Sequence, residues 1–128
     1  MLYIRDPYLN EMRDQMEYHV RSEAHKARPV NPAKTSDKDW GDYIFFFANT
    51  KGIHFERWVN FTGHRKWFNV IRNTVTDEII ATYRPDEDVV EVIKKLKIDT
   101  KDIKVPGVLN KLKAKGKTSA KKAKSKKA

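Results

Sequence analysis

Cysteine is absent from the 128-residue sequence, which excludes disulfide bonds, thiolate metal sites and a cysteine nucleophile. Long apolar runs are also missing. The longest, residues 43–48, is far shorter than the roughly 20 residues that cross a bilayer, and the N-terminus lacks the apolar segment of a signal peptide. We therefore expect no membrane insertion and a location in a reducing cytoplasm.

The motifs that usually hold cofactors are missing as well. The sequence has no Gly-rich phosphate loop, no nucleophile elbow and no zinc-ligand spacing. We therefore predict neither a metal site nor a cofactor.

Acidic residues are absent from the C-terminal segment, residues 111–128, which holds nine of the 27 basic side chains and none of the 17 acidic ones. Residues 1–110 keep the other 18 basic and all 17 acidic side chains and are nearly neutral. A segment so rich in lysine cannot bury enough apolar area to offset the entropy of ordering. The predicted organisation is a single globular domain, 1–110, followed by a disordered Lys-rich tail, 111–128.

The composition of the tail resembles that of linker-histone C-terminal tails and indicates binding to a polyanion. If every lysine met a phosphate of duplex DNA, counterion release would give a salt slope of about −8. A solubilising tail and attraction to anionic lipid are the alternatives. The predicted phosphate-binding residues are Lys111, Lys113, Lys115, Lys117, Lys121, Lys122, Lys124, Lys126 and Lys127.

The hydrophobic pattern of the first 110 residues predicts an α+β fold. Asp6 and Pro7 resemble a helix start, and apolar residues recur after them at spacings of three and four, which predicts an N-terminal helix of about 20 residues. Residues 43–48 and 53–61 read as a β-hairpin around Gly52, residues 65–75 as strand or helix with strand favoured, and residues 79–83 as a strand. The predicted order is N-terminal helix, antiparallel sheet of three to four strands, C-terminal helix opened by residues 85–88, and tail.

Aromatic and basic residues alternate along the predicted sheet. Exposed rings beside cations can stack bases and hold phosphates, although most rings in so small a domain must lie in its core. The candidates for a nucleic-acid surface are Trp58, Arg65, Lys66, Trp67 and Arg72.

A second group of polar residues lies on or near the face of strand 53–61 that is predicted to be exposed. His54 and Glu56 are on that face, Arg57 is on the opposite one, and His64 is in the turn that follows. His54, Glu56, Arg57 and His64 combine a general base with cations that could stabilise a phosphorane, as in metal-independent ribonucleases. The order of elements resembles the RelE and barnase class of ribonucleases in outline, without any diagnostic motif. Ordinary polar residues on a half-exposed strand explain the same positions.

Three functions follow from these patterns. The leading hypothesis is a non-enzymatic nucleic-acid-binding protein whose tail supplies affinity, cytoplasmic or associated with the nucleoid. The second is a phage- or virus-type modulator whose neutral body binds a host protein. The third is a small ribonuclease. No motif identifies a family, and the sequence does not distinguish DNA from RNA or specify the oligomeric state.

Overall fold

The computed structural model describes the backbone of residues 3–125 and the side chains of residues 3–117. Short 3-10 turns lie at Gln15–Glu17, Pro32–Lys34 and Thr100–Asp102. The strands and α-helices of the described residues are β1 (Tyr3–Arg5), β2 (Met12–Asp14), β3 (Tyr18–Glu23), α1 (Asp37–Phe45), β4 (Ile53–Asn60), β5 (Trp67–Asn73), β6 (Glu78–Tyr83), α2 (Val89–Leu96) and α3 (Pro106–Ser125). None of the described helices is both long and apolar enough to cross a membrane.

The strands form two antiparallel sheets. β1 and β2 make a two-stranded hairpin, and β3 to β6 make a four-stranded sheet in chain order, with β3 and β6 at its edges. A bulge after Val20 interrupts the pairing of β3 with β4. Because each strand pairs with its neighbour along the chain, short turns are enough to connect β4, β5 and β6.

Both faces of the four-stranded sheet are covered. On one face Phe55 and Ile71 pack with α2, α3 and the segment that joins them. On the other, Trp58 and Phe68 pack with Ile4 of the β1–β2 hairpin. Side chains alternate between faces along a strand, so β4 supplies large apolar residues to both cores. The expectation that the Trp58 side of β4 is a polar, exposed face is wrong.

The predicted N-terminal helix is wrong, because the first 23 residues contain β1, β2 and β3. Asp6 does accept hydrogen bonds from the backbone amides of Tyr8 and Leu9, as a helix cap would. The chain then turns back through Asn10, whose φ is +54°. A carboxylate that bonds to the next amides also stabilises a tight turn, so the cap signal did not specify a helix.

The predicted hairpin around Gly52 is also wrong. Residues 43–45 end α1, and residues 46–52 form no strand. The helix starts at the N-cap Ser36, whose hydroxyl accepts from the amide of Asp39. Aromatic side chains favoured a strand here, whereas the Ser36-x-x-Asp39 spacing is a helix-start signal that sequence reasoning passed over.

Later elements agree with the sequence pattern. Residues 67–73 are a strand, and α2 begins after Asp88, whose carboxylate accepts from the amide of Val90. The fold therefore combines helices and antiparallel strands, but in a different order from the one predicted. α3 runs through most of the segment predicted to be a disordered tail, residues 126–128 lie outside the described range, and the domain boundary at 110 stays a prediction.

The start of α3 is fixed against the end of β3. Val105 and Val108 are buried, and Gly107 lies against His25 so closely that a β-carbon there would sit 2.1 Å from the His25 carbonyl oxygen. Further along α3, the Lys115 ammonium lies 2.5 Å from the Asp88 carboxylate and 2.8 Å from that of Glu91. The absence of a side chain at Gly107 is what lets α3 lie this close to the His25 backbone.

Replacing Gly107 by alanine should therefore push α3 away from β3. Overpacking against rigid backbone typically costs about 1–3 kcal/mol, so the urea midpoint of unfolding should fall. The matched control is Gly116→Ala in the same helix, where a new β-carbon meets nothing within 4 Å and stability should rise by about 0.5–1 kcal/mol. Equal midpoints for the two variants would contradict the described packing.

Candidate functional site

Three residues of the predicted sites meet on the hairpin-covered face of the sheet. Glu56, 4% exposed, accepts from Arg72 Nη2 at 2.6 Å and from Trp58 Nε1 at 2.8 Å. Arg72 also bonds to Asp77 at 2.6 Å. The hydrogen bond to Glu56, with that to Asp77, raises the pKa of Arg72 despite burial. Glu56 and Arg72 are therefore engaged with each other.

His54 lies beside this ion pair in an open polar pocket of about 460 Å³, which Glu56, Arg72 and Thr50 also line. Its Nδ1 is buried and has no hydrogen-bond partner among the described residues. The structure thus brings His54 and Glu56 together in one pocket and adds Arg72 to them.

The other two catalytic candidates lie elsewhere. Arg57 is on the opposite face of β4, where its Nε donates to Asn69 Oδ1 at 2.9 Å. His64 lies in the β4–β5 turn, 2.6 Å from Asp6. The four predicted residues consequently do not converge on one reacting position.

Asp6 is a fully buried carboxylate that joins the β1–β2 loop to the β4–β5 turn. Its Oδ1 accepts from the amides of Tyr8 and Leu9 at 2.8 and 3.1 Å, and its Oδ2 accepts from the hydroxyl of Tyr18 at 2.8 Å. His64 Nδ1 accepts from the amide of Lys66, so its Nε2 carries the proton and donates to Oδ2. Burial raises the pKa of Asp6, but these hydrogen bonds outweigh it and hold that pKa below its ordinary value.

His25 connects α3 to the sheet through hydrogen bonds to Lys111 and Tyr83. The Lys111 ammonium donates to its Nδ1 at 3.0 Å, so its Nε2 carries the ring proton and donates to the Tyr83 hydroxyl at 2.5 Å. Burial, followed by the positive charges of Lys111 and Arg57, lowers the pKa of His25 to about 4, against a smaller opposing effect of Asp88. The imidazole is therefore neutral at pH 7.

Acidification should consequently weaken the fold. Unfolded chains protonate histidine near pH 6.5, whereas folded His25 does so only near pH 4. The folded state then binds fewer protons between these values, and stability falls as the pH drops through this window.

The check compares urea midpoints at pH 7 and pH 4.5 for the wild type and His25→Asn. Asparagine tolerates the positive φ of +62° at this position. We expect acidification to lower the midpoint less in His25→Asn than in the wild type, with His19→Asn on the exposed side of β3 as the matched histidine control. Equal losses in the wild type and His25→Asn would contradict the assignment.

The residues predicted for a nucleic-acid surface are divided between core and surface. Trp58 is buried and Arg72 is paired with Glu56, whereas Arg65, Lys66 and Trp67 are exposed at the β4–β5 turn. In the lysine segment, Lys111 bonds to His25 and Lys115 to α2. Lys113 and Lys117 are exposed, and the side chains of Lys121, Lys122, Lys124, Lys126 and Lys127 lie outside the described residues.

Sequence reasoning missed an exposed apolar area at the end of α1. Phe45, Phe46 and Phe47 are 76%, 70% and 53% exposed, and α1 has no buried residue. We call these three residues, with Ile44 and Val20 of β3, the aromatic surface. Three consecutive phenylalanines were a usable signal, because neither a helix nor a strand can turn all three towards one core.

Metal ligands are not grouped in this structure. Among residues whose side chains are described, no cluster of three or more histidine, aspartate or glutamate side chains could hold a metal ion. The fold and these contacts define a small α+β protein whose buried acids are already paired and which exposes the aromatic surface.

Comparison with known proteins identifies the family. The profile of the sarcosine oxidase, delta subunit family matches residues 3–85, which include both sheets and α1. The chain belongs to this family.

Individual relatives agree with the profile. The chain is 47% identical over 75 residues to the sarcosine oxidase subunit delta of Arthrobacter sp, covering 59% of this chain and 76% of that protein. It is 48% identical over 75 residues to that of Corynebacterium sp. (strain U-96), with the same coverage. To that of Rhizobium meliloti (strain 1021) it is 44% identical over 43 residues, covering 34% of this chain and 47% of that protein.

Family membership overturns the functions predicted from the sequence. The nucleic-acid-binding hypothesis is wrong, and so are the viral modulator and the ribonuclease offered as its alternatives. Nucleic acid as the partner is wrong for the same reason. The error arose because the charge of residues 111–128 dominated the argument, whereas the family match ends at residue 85.

Proposed function

We propose that this chain is a delta-type subunit of a sarcosine oxidase and acts by assembling with the other subunits of that enzyme. The observation that carries the proposal is the family match over residues 3–85, because this range contains both sheets and α1. The curated relatives are themselves named as delta subunits of sarcosine oxidase.

The contacts within the chain support a structural rather than a chemical contribution. Glu56 is bonded to Arg72 and Trp58, and Asp6 to His64 and Tyr18. A general base needs a free lone pair within hydrogen-bond reach of its substrate. Carboxylates already committed to internal partners are better suited to holding the fold that presents a surface to a partner.

The proposal can be tested by omission. The other sarcosine oxidase subunits of the source organism are co-expressed with and without this chain, and the yield of assembled enzyme and its sarcosine-oxidising activity are measured. We expect both to fall when the chain is left out, and to be restored by supplying it on a second plasmid. An unchanged yield and unchanged activity would contradict the proposal.

The two locations predicted from the sequence stand differently under this proposal. A cytoplasmic location stays a prediction that fits an oxidase subunit without cysteine. Association with the nucleoid depended only on the predicted nucleic-acid binding and has lost that basis.

A further inference from the structure

We propose that the aromatic surface is the site at which this chain docks onto an apolar face of another sarcosine oxidase subunit. This inference rests on the proposed function and adds to it the residues that make the contact. The aromatic surface lies within residues 3–85, the part of the chain that defines the family.

The exposed area is large enough to nucleate an interface. The exposures of Phe45, Phe46 and Phe47 together equal about two whole rings, or on the order of 300–500 Å² given the usual area of an aromatic side chain. This is the size of the largest apolar patch on a typical monomer, which is often functional. It would also form the apolar centre of the roughly 800 Å² that each partner contributes to a standard interface.

The rings are held in place by polar contacts. The Lys26 ammonium donates to the carbonyl oxygens of Asp42 and Phe46 and lies 3.9 Å from the centroid of the Phe47 ring. The amide of Ala48 donates to the Glu23 carboxylate at 2.9 Å. The end of α1 is thus attached to the body by its backbone while its rings face solvent. Such preorganisation lowers the entropy cost of binding.

The aromatic surface continues onto the edge of the sheet. Val20 is 53% exposed and shares a cavity of about 200 Å³ with Phe47 and Ala48. β3, which carries Val20, is an edge strand of the four-stranded sheet. An exposed apolar area beside an open sheet edge favours association with another chain.

The lysine-rich segment is not suited to cover this area. Residues 118–128 consist of lysine, alanine, serine and threonine and cannot supply a large apolar partner. Two copies that met through these rings alone would bury about 600–1,000 Å² in total, below the roughly 1,200 Å² at which stable interfaces begin, so a stable contact needs further surface around the rings. A larger, apolar face of a different subunit is the occupant that fits.

The test uses the full chain with Phe45→Ser and Phe46→Ser combined, co-expressed with the other oxidase subunits. Removing two central aromatic contacts should weaken the complex at least 100-fold, since 1.4 kcal/mol corresponds to a factor of ten. The matched control is Phe61→Ser, which removes a ring that is 52% exposed outside the aromatic surface. The thermal midpoint of each isolated variant is measured by circular dichroism and should stay at the wild-type value.

The outcomes separate this inference from the function on which it rests. If the wild type and the Phe61→Ser control assemble and the double variant does not, the aromatic surface is the docking site. If the double variant assembles as well as the wild type, the docking site is wrong while the proposed function stands. If the wild type itself does not assemble, both fall, and sedimentation of the isolated chain then shows whether the surface instead pairs two copies.

Discussion

Replacing Asp6 by alanine should lower the free energy of unfolding by about 3–5 kcal/mol, more than any surface substitution. The change removes the acceptor for the Tyr18 hydroxyl, the His64 imidazole and the amides of Tyr8 and Leu9. A buried donor left without an acceptor costs about 1–3 kcal/mol. Partial rearrangement of the loop keeps the total below the sum of the separate losses.

The matched control for this prediction is Asp86→Ala. Asp86 is exposed, so its loss should change stability by no more than about 0.5 kcal/mol. Both variants are measured by urea unfolding at pH 7. A loss for Asp6→Ala as small as that for Asp86→Ala would show that Asp6 does not join the two loops as described.

Replacing Arg72 by methionine should cost about 3–5 kcal/mol, because it leaves the Glu56 carboxylate buried without its cation. Methionine keeps most of the apolar volume of the arginine stem, so the loss reports on charge more than on packing. The carboxylate would keep its hydrogen bond from Trp58. Chemical denaturation at pH 7 measures the change.

A second substitution separates the ion pair from general disruption of the sheet. Adding Glu56→Gln to Arg72→Met removes the buried charge and should recover a large part of the lost stability. If the double variant is less stable than Arg72→Met by the full cost of Glu56→Gln alone, the two side chains are not coupled and the described ion pair is contradicted.

Local sequence signals predicted the second half of the body well. The acidic residues at 86–88 and the helical spacing of the apolar residues after them predicted α2, and the structure caps this helix with Asp88. The strands of residues 53–60 and 67–73 likewise carry alternating or β-branched side chains. Where the relevant contacts lie within one turn or one hairpin, propensity and patterning point to the same structure.

The first half depends on contacts distant in sequence. Asp6 reads as a helix cap until Tyr18 and His64 are placed around it, and His64 is 58 residues away along the chain. Leu9, Met12 and Met16 have the spacing of a buried helix face but are exposed. Helical spacing in a short stretch was therefore insufficient evidence, because tertiary partners decided the outcome.

The candidate site illustrates the same limit. Glu56 was assigned to an exposed face because the opposite face of its strand carries Phe55 and Val59 and was taken as the core. Its burial is possible only because Arg72, from the next strand, and Trp58, two residues along, both bond to it. By contrast, the phenylalanines at 45–47 could have been identified as partly exposed from their consecutive order alone.

The most direct test of the proposed assembly is native mass spectrometry of sarcosine oxidase purified through an affinity tag on this chain, after co-expression with the other subunits. We predict a complex whose mass equals the sum of those subunits plus this chain in a fixed ratio, with no bound nucleic acid. Recovery of the tagged chain alone, or with nucleic acid in place of the other subunits, would contradict its assignment as an oxidase subunit.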